Sequence, residues 1–501
     1  MLFNSAQFLI FFPICVFLYF VLPQKFRALW LLGCSYYFYM CWNAAYASLL
    51  LISTVSTFAC GFLLEKAQSP RGRKAALAAS ICLNLAILFF FKYYNFFQDS
   101  MAGLLGMVGV AYQPPRFDVL LPVGISFYTF QALGYSIDVY RKRIPHERNF
   151  IRYALFVSFF PQLVAGPIER AENLLPQFKE KHDFSYERAK EGLFSMLWGM
   201  FKKVVLADGL GIMVTRVFEN VGLFDGPSYV IATVLFAVQI YCDFSGYSDI
   251  AVGSAKILGF DLMQNFRQPY SSRTLAEFWS RWHISLSSWL QDYIFEPLAW
   301  SGWTQKLPLI GKYIKNPPVY SSLIITFFLS GLWHGASWTY VLWGLWHGVL
   351  QAVGKITKKP RKKWLKKLGV NTKSRAWQLW QQTLVFGMVC ASYIFFRAAT
   401  VQDAFYIFGH LLQGWGVLLH PAQLLDTIRT ICGGLWNAVQ LLIPYLLMEG
   451  VLHFEKKRGV FAAKWFMTLG RPKKLAVSYA MLLCLLFCGT YTASQFIYFQ
   501  F

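Results

Sequence analysis

VYSSLIITFFLSGLWHGASWTYVLWGLWHG, residues 319–348, runs for thirty residues without one Asp, Glu, Lys or Arg. A helix at the surface of a soluble protein shows an apolar stripe opposite a charged face. Here no charged face exists, so the stretch reads as membrane helix. The apolar run before His334 and the run after it form a hairpin with the histidine near the bend. As one helix, residues 334–355 would rise about 31 Å, roughly a bilayer thickness. That places His347 near the surface beside Lys355, and His334 well towards the other side. A bend at HGAS leaves backbone groups open, so it should border a water-accessible cavity. The flanking glycines read as the loosening that lets this cavity reach the imidazole.

The rest of the chain repeats the pattern. Of 501 residues, 56% are hydrophobic and 14% charged, against about a quarter charged in soluble domains. Aromatic residues make up 19%, as expected where Trp and Tyr gather at bilayer interfaces. The first run, AQFLIFFPICVFLYFVL (6–22), follows no basic segment and has no small-residue cleavage site, so it reads as a retained helix. The expected fold class is an all-α polytopic membrane protein with about eleven to thirteen membrane helices, some of them re-entrant or interfacial. The net charge of +23 sits in short loops, which points to topology and away from nucleic acid. The ten cysteines show no metal or disulfide spacing and read as buried small residues, and no metal site is expected.

Basic loops at 65–74, 141–152, 355–375 and 455–474 face the cytoplasm under the positive-inside rule. Spans near 6–22, 29–43, 46–64, 75–97, 119–139, 379–396, 433–452 and 475–499 then place both termini outside the cell. Segment 153–166, with Pro161, is too short to span comfortably and reads as re-entrant or half-buried. TLAEFWSRWHISLSSWL (274–290) opens with Thr274 and Glu277 in capping-box spacing and reads as one amphipathic helix that lies at an interface or dips into the bundle without crossing it. Another basic loop, with Lys306, Lys312 and Lys315, precedes the opening stretch.

An ionisable group at membrane depth is costly and faces a cavity or a partner. His334, His283 and, less centrally, His347 are therefore the candidate histidines, with interhelical hydrogen bonding as the competing reading. His146, His182, His410, His420 and His453 read as surface residues. Asp243 and Tyr247, at i and i+4 in IYCDFSGYSDIAVGSAKILGF (240–260), share a helix face and are candidates for a polar path. The competing reading is polar contact between helices, with Gly246 and Gly253 allowing close approach. Asp249 points elsewhere, so the two aspartates do not form a carboxylate pair. Arg170, beyond a Gly-Pro turn, meets an anionic ligand or anchors at the interface. No GxSxG elbow, P-loop or HExxH motif is present.

FWSRWHISLSSWLQDYIFEPL (278–298), GLWHGASWTYVLWGLWHG (331–348), YCDFSGYSDIAVG (241–253) and MLFNSAQFLIFFP (1–13) together resemble the membrane-bound O-acyltransferase family, and within it the branch serving bacterial alginate O-acetylation. The resemblance runs to about residue 400 and weakens beyond. One departure is Gln291, where the family's stretch reads WLRDY. The resemblance implies His334 as the catalytic residue, with His283 as its companion. Trp333, Trp282 and Ser287, with Asp243, Tyr247 and Arg170, become substrate-path candidates. It also implies residues 1–140 as N-terminal helices, 141–400 as the family core and 401–501 as C-terminal helices. The expected activity is acetyl transfer from acetyl-CoA, with no permanently bound cofactor, across the bacterial inner membrane to an extracytoplasmic polysaccharide. A secreted or membrane-anchored SGNH-like acetyltransferase is the expected partner. D-alanyl transfer to teichoic acid is the near rival. A proton-coupled transporter using Asp243, Asp249 and His334 is the distant one.

Overall fold

Helix starts follow local side-chain chemistry. Ser5 accepts from the Phe8 N–H, Asn149 from Arg152, Ser337 from Thr339 and Ser374 from Trp377. Each meets one of the N–H groups that a first turn leaves open. Thr400 and Asp403 close a reciprocal capping box. The structure, a computed structural model, describes residues 1–117, 120–301, 317–491 and 496–497. Among them every regular element is helical.

The chain groups into two compact units, Met1–Leu197 with Tyr247–Met263, and Trp198–Gly246 with Gln264–Phe501. The first unit holds α1 (Ala6–Val21), α2 (Gln24–Met40), α3 (Ala47–Lys66), α4 (Pro70–Leu88) and α5 (Tyr94–Met107). It continues with α6 (Ile125–Tyr140), α7 (Phe150–Ser158) and α8 (Ala171–Gln177). Helix α9 (Tyr186–Met200) leads into the second unit, which holds α10 (Asp208–Phe218) and most of α11 (Gly226–Ile257). Then come α12 (Leu275–Trp279), α13 (Ile284–Leu290), α14 (Glu296–Trp300), α15 (Pro317–His334) and α16 (Trp338–Ile356). The unit ends with α17 (Lys358–Lys367), α18 (Arg375–Arg397), α19 (Val401–His410), α20 (Pro421–Cys432), α21 (Leu435–Arg458), α22 (Ala462–Met467) and α23 (Arg471–Cys488).

The lateral surface is built for lipid. On α3, Leu51, Ile52 and Val55 are exposed while Ser53, Thr54 and Thr57 are buried. Ser53 donates to Asn84 Oδ1 at 2.6 Å, and Asn84 returns a bond to Ser56 at 3.1 Å. A water-soluble protein reverses that arrangement, whereas in lipid the polar groups must pair inside. Among the described residues five helical stretches are long and apolar enough to cross a bilayer: Ala44–Lys66, Pro70–Met107, Gly226–Ile257, Arg375–Arg397 and Leu435–Arg458. Ala6–Val21 and Val319–His334 are shorter apolar helices. The chain is an all-α, multi-pass membrane protein.

Three local expectations change. The span at 75–97 belongs to a continuous helix, Pro70–Met107, with a π turn at Phe89–Tyr93 that adds a residue without breaking it. The amphipathic stretch 274–290 is two short helices, α12 and α13, separated by a break at 280–283. Segment 153–166 ends α7 at Ser158 and then turns irregularly within the protein. Its backbone is met by Ser35, which accepts from the Phe160 N–H at 3.1 Å, and by Gln162, whose Nε2 donates to the Phe156 carbonyl at 3.1 Å. The loop with Lys306, Lys312 and Lys315, and parts of the runs at 119–139 and 475–499, lie outside the described residues.

Helices α15 and α16 form the expected hairpin, but its glycines act differently. A Cβ on Gly344 would run into the Phe327 carbonyl oxygen, and one on Gly331 into that of Tyr340. A Cβ on Gly348 would lie 3.0 Å from Ile324 Cα. These glycines let two helices close on each other; they do not loosen either. Gly344→Ala should therefore wedge the hairpin open at about 1–3 kcal/mol. A fall in the thermal midpoint of the solubilised protein checks this; an unchanged midpoint would contradict it.

Candidate functional site

His283 sits at the break between α12 and α13 with φ +45° and ψ +55°, a left-handed conformation rare outside glycine. Asn265 holds the first turn of α13 just after the break. Its carbonyl accepts from the Ile284 N–H at 2.9 Å, and its Oδ1 accepts from the Ser285 hydroxyl at 2.6 Å. The imidazole is fully buried and lies 4.6 Å from the Phe244 ring and 5.7 Å from Trp333. Strain held by a surrounding network is a mark of functional geometry.

His334 ends α15 and is 3% exposed. Its ring lies 4.9 Å from Trp333, 4.8 Å from Trp343 and 5.3 Å from Phe396. Trp333 thus touches both motif histidines, and the structure brings His283, Trp333 and His334 together. Trp343 continues the series to His347, 5.1 Å away. His347 is buried, not near the surface as its place in the sequence implies. Its Nδ1 accepts from Trp279 Nε1 at 3.3 Å, and Nε2 lies 3.0 Å from the Ser392 hydroxyl. Ser392 in turn donates to the Val389 carbonyl at 2.6 Å, so Nε2 is assigned as the donor. Both nitrogens of His347 are occupied in holding α12, α16 and α18 together.

The bend after His334 borders a cavity of about 760 Å³, the size of a small-molecule site. Gly335, Ala336 and Ser337 of the bend line it, as does Phe396, the ring neighbour of His334. The expected cavity at HGAS is therefore present. Asp243, a candidate for a polar path, stands on its polar wall with two residues that the sequence did not single out: Lys203 Nζ bridges Asp208 Oδ1 and Asp243 Oδ1, each at 2.7 Å. All three side chains are no more than 4% exposed. The second Asp243 oxygen accepts from the Ile497 N–H at 2.9 Å. Arg397 also lines the cavity, donating to Thr215 at 2.9 Å. The signal for Lys203 lay in the sequence as two lysines, Lys202 and Lys203, inside an apolar run at 194–207.

The other candidates are not among the residues that line this cavity. Trp282 packs among Phe266, Tyr270 and Phe278 as core. Ser287 donates to the Trp282 carbonyl at 3.1 Å. Tyr247 and Arg170 belong to the first unit. There Tyr247 lies 4.8 Å from the Phe3 ring. Arg170 stands at the N-terminal boundary of α8, next to Glu169. Glu169 accepts from the Met263 N–H and from Asn173. Burial pushes its carboxyl up to about 7. His146 is not a surface residue: its side chain is 5% exposed and contacts Glu65 at 2.8 Å. The ten cysteines are free thiols, six of them buried.

The family model "MBOAT, membrane-bound O-acyltransferase family" matches residues 139–370, which include both motif histidines. A Probable alginate O-acetylase AlgI of Pseudomonas syringae pv. tomato is 37% identical, covering 82% of this chain and 75% of its own. The protein of that name from Pseudomonas putida is 34% identical over the whole of both chains, so the likeness continues past residue 400. A Peptidoglycan O-acetyltransferase of Helicobacter pylori is 31% identical, covering 81% of this chain and 78% of its own. The chain belongs to the membrane-bound O-acyltransferase family and is an O-acetyltransferase.

Proposed function

We propose that the chain transfers an acetyl group from acetyl-CoA to a hydroxyl presented from the cavity beside His334, serving O-acetylation of an extracytoplasmic polysaccharide. The observation that carries this reading is the placement of His334, buried at a helix end while the next residue already lines a polar cavity. A thioester is activated already, so the protein must supply a base and orientation. Neutral His334 takes the proton of the attacking hydroxyl, the new O–C bond forms as the C–S bond breaks, and the proton passes to the departing thiolate. His283 orients the acyl group or steadies the oxyanion, and Trp333 sets the spacing between the two imidazoles.

The acceptor reading draws on relatives named for alginate and for peptidoglycan. Relatives named Teichoic acid D-alanyltransferase match only half of this chain. A membrane-anchored or secreted SGNH-like acetyltransferase would carry the group onward, and the basic loops would face the cytoplasm, with both termini outside. The test is purified protein in nanodiscs with labelled acetyl-CoA and surface polysaccharide or such a partner. Label appearing as an alkali-labile ester on the acceptor supports the reading. Label moving without ester formation supports the transporter instead.

A further inference from the structure

Three hydroxyls on α15 have no account in the reaction so far. Ser322, Thr326 and Ser330 are 0%, 7% and 1% exposed, and none of the three side-chain oxygens has a hydrogen-bond partner among the described residues. On other helices of this chain buried hydroxyls commonly turn back to the carbonyl four residues earlier, with Ser80 of α4 an isolated exception. Ser35, Thr54, Thr57, Ser158 and Thr233 all do so at 2.7 Å. That bond is open to any helical Ser or Thr, so three successive exceptions on one helix need a cause.

Their spacing gives direction. Positions 322, 326 and 330 lead to His334 in steps of four, a stripe that drifts by about 40° per step along one side of the helix. It covers about 18 Å from Ser322 to His334. The stripe is separate from the α16 contact, which uses Ile324, Phe327 and Gly331. The cavity with Lys203 lies at the His334 end. Ser322 lies at the other end, level with the close of α16, which carries Lys355 and leads to the seven cations of α17. Near that end Gln351 of α16 holds an Nε2 that is likewise buried without a partner among the described residues.

We propose that Ser322, Thr326 and Ser330 are positioning residues for the acyl donor. Their hydroxyls hydrogen-bond the amide-bearing arm of an acyl thioester while its acyl end reaches His334. A hydroxyl both donates and accepts, so a ladder of them suits an arm of alternating amide N–H and carbonyl groups. The cations beyond Ser322 suit the phosphates at the arm's far end. This rests on the reading of His334 as the base.

Two experiments on the full chain test it. The triple variant Ser322→Ala, Thr326→Val, Ser330→Ala should raise KM for acetyl-CoA about tenfold or more. Its kcat and acceptor KM should stay within about twofold, because uniform donor binding alone is lost. Its thermal midpoint should not fall, since removing unmet buried hydroxyls costs nothing, and Ser330→Thr should behave as the parent. An unchanged donor KM, or equal losses in donor and acceptor KM, would overturn the proposal. Independently of which donor is used, single Cys substitutions at 322, 326 and 330 should react with a small hydrophilic thiol reagent faster than Leu323→Cys. Reaction rates equal to that control also overturn it. If the unsubstituted chain consumes no acetyl-CoA, the donor reading fails while the cysteine comparison still decides the ladder.

Discussion

Replacing His334 by Gln is expected to lower acetyl transfer by about 10²–10⁴-fold, the usual contribution of a positioned general base. Glutamine keeps most of the volume between Trp333, Trp343 and Phe396, so the packing that these rings provide survives. It cannot take a proton from an attacking hydroxyl at neutral pH. The loss should fall on kcat, with KM values for donor and acceptor little changed. The control lies in the same aromatic series: His347→Gln breaks the bonds from Trp279 and to Ser392. That substitution should lower stability by about 1–3 kcal/mol and leave kcat of the folded fraction near the parent value. Near-parental kcat in well-folded His334→Gln protein would remove His334 from the chemistry. The assay is ester formation per folded molecule in nanodiscs.

The second large effect is on stability. Lys203→Met removes a cation that Asp208 and Asp243 share and leaves two buried carboxylates without it. Breaking a buried ion network by deleting one partner costs about 3–5 kcal/mol, because the remaining charge cannot regain water. Neutralising the whole set, as Lys203→Met with Asp208→Asn and Asp243→Asn, should recover most of that loss. The order of thermal midpoints should be parent, then triple variant, then Lys203→Met. A Lys203→Met midpoint equal to the parent's would show that these groups do not act as a unit.

The membrane fold was legible because lipid makes a single demand, long runs without charge, and residues 319–348 meet it without exception. The hairpin and its cavity were legible for the same reason: an irregular bend at depth must border water or protein. What one stretch cannot display is what a distant stretch brings to it. Asn265 fixes the left-handed turn at His283 from eighteen residues away, so periodicity alone continued one helix through it. The glycines of 331–348 looked like flexibility, because a sequence does not show the carbonyl oxygens of Phe327 and Tyr340 pressing against them. His347 read as peripheral by its height along a helix, whereas its partners on α12 and α18 bury it. Lys203 drew no notice because its two carboxylates stand 5 and 40 positions away.

The hydrogen bond from Ile497 to Asp243 joins residues 254 positions apart. At 5–20 residues per second, the ribosome makes that donor roughly 13–50 s after the acceptor. Through that interval Lys203, itself paired with Asp208, can already hold one oxygen of Asp243, but the other waits for a peptide group not yet synthesised. The polar wall beside His334 is therefore finished last. Maturation of the site becomes a clock on translation, and nascent chains halted before residue 497 should carry both histidines in place and an incomplete wall.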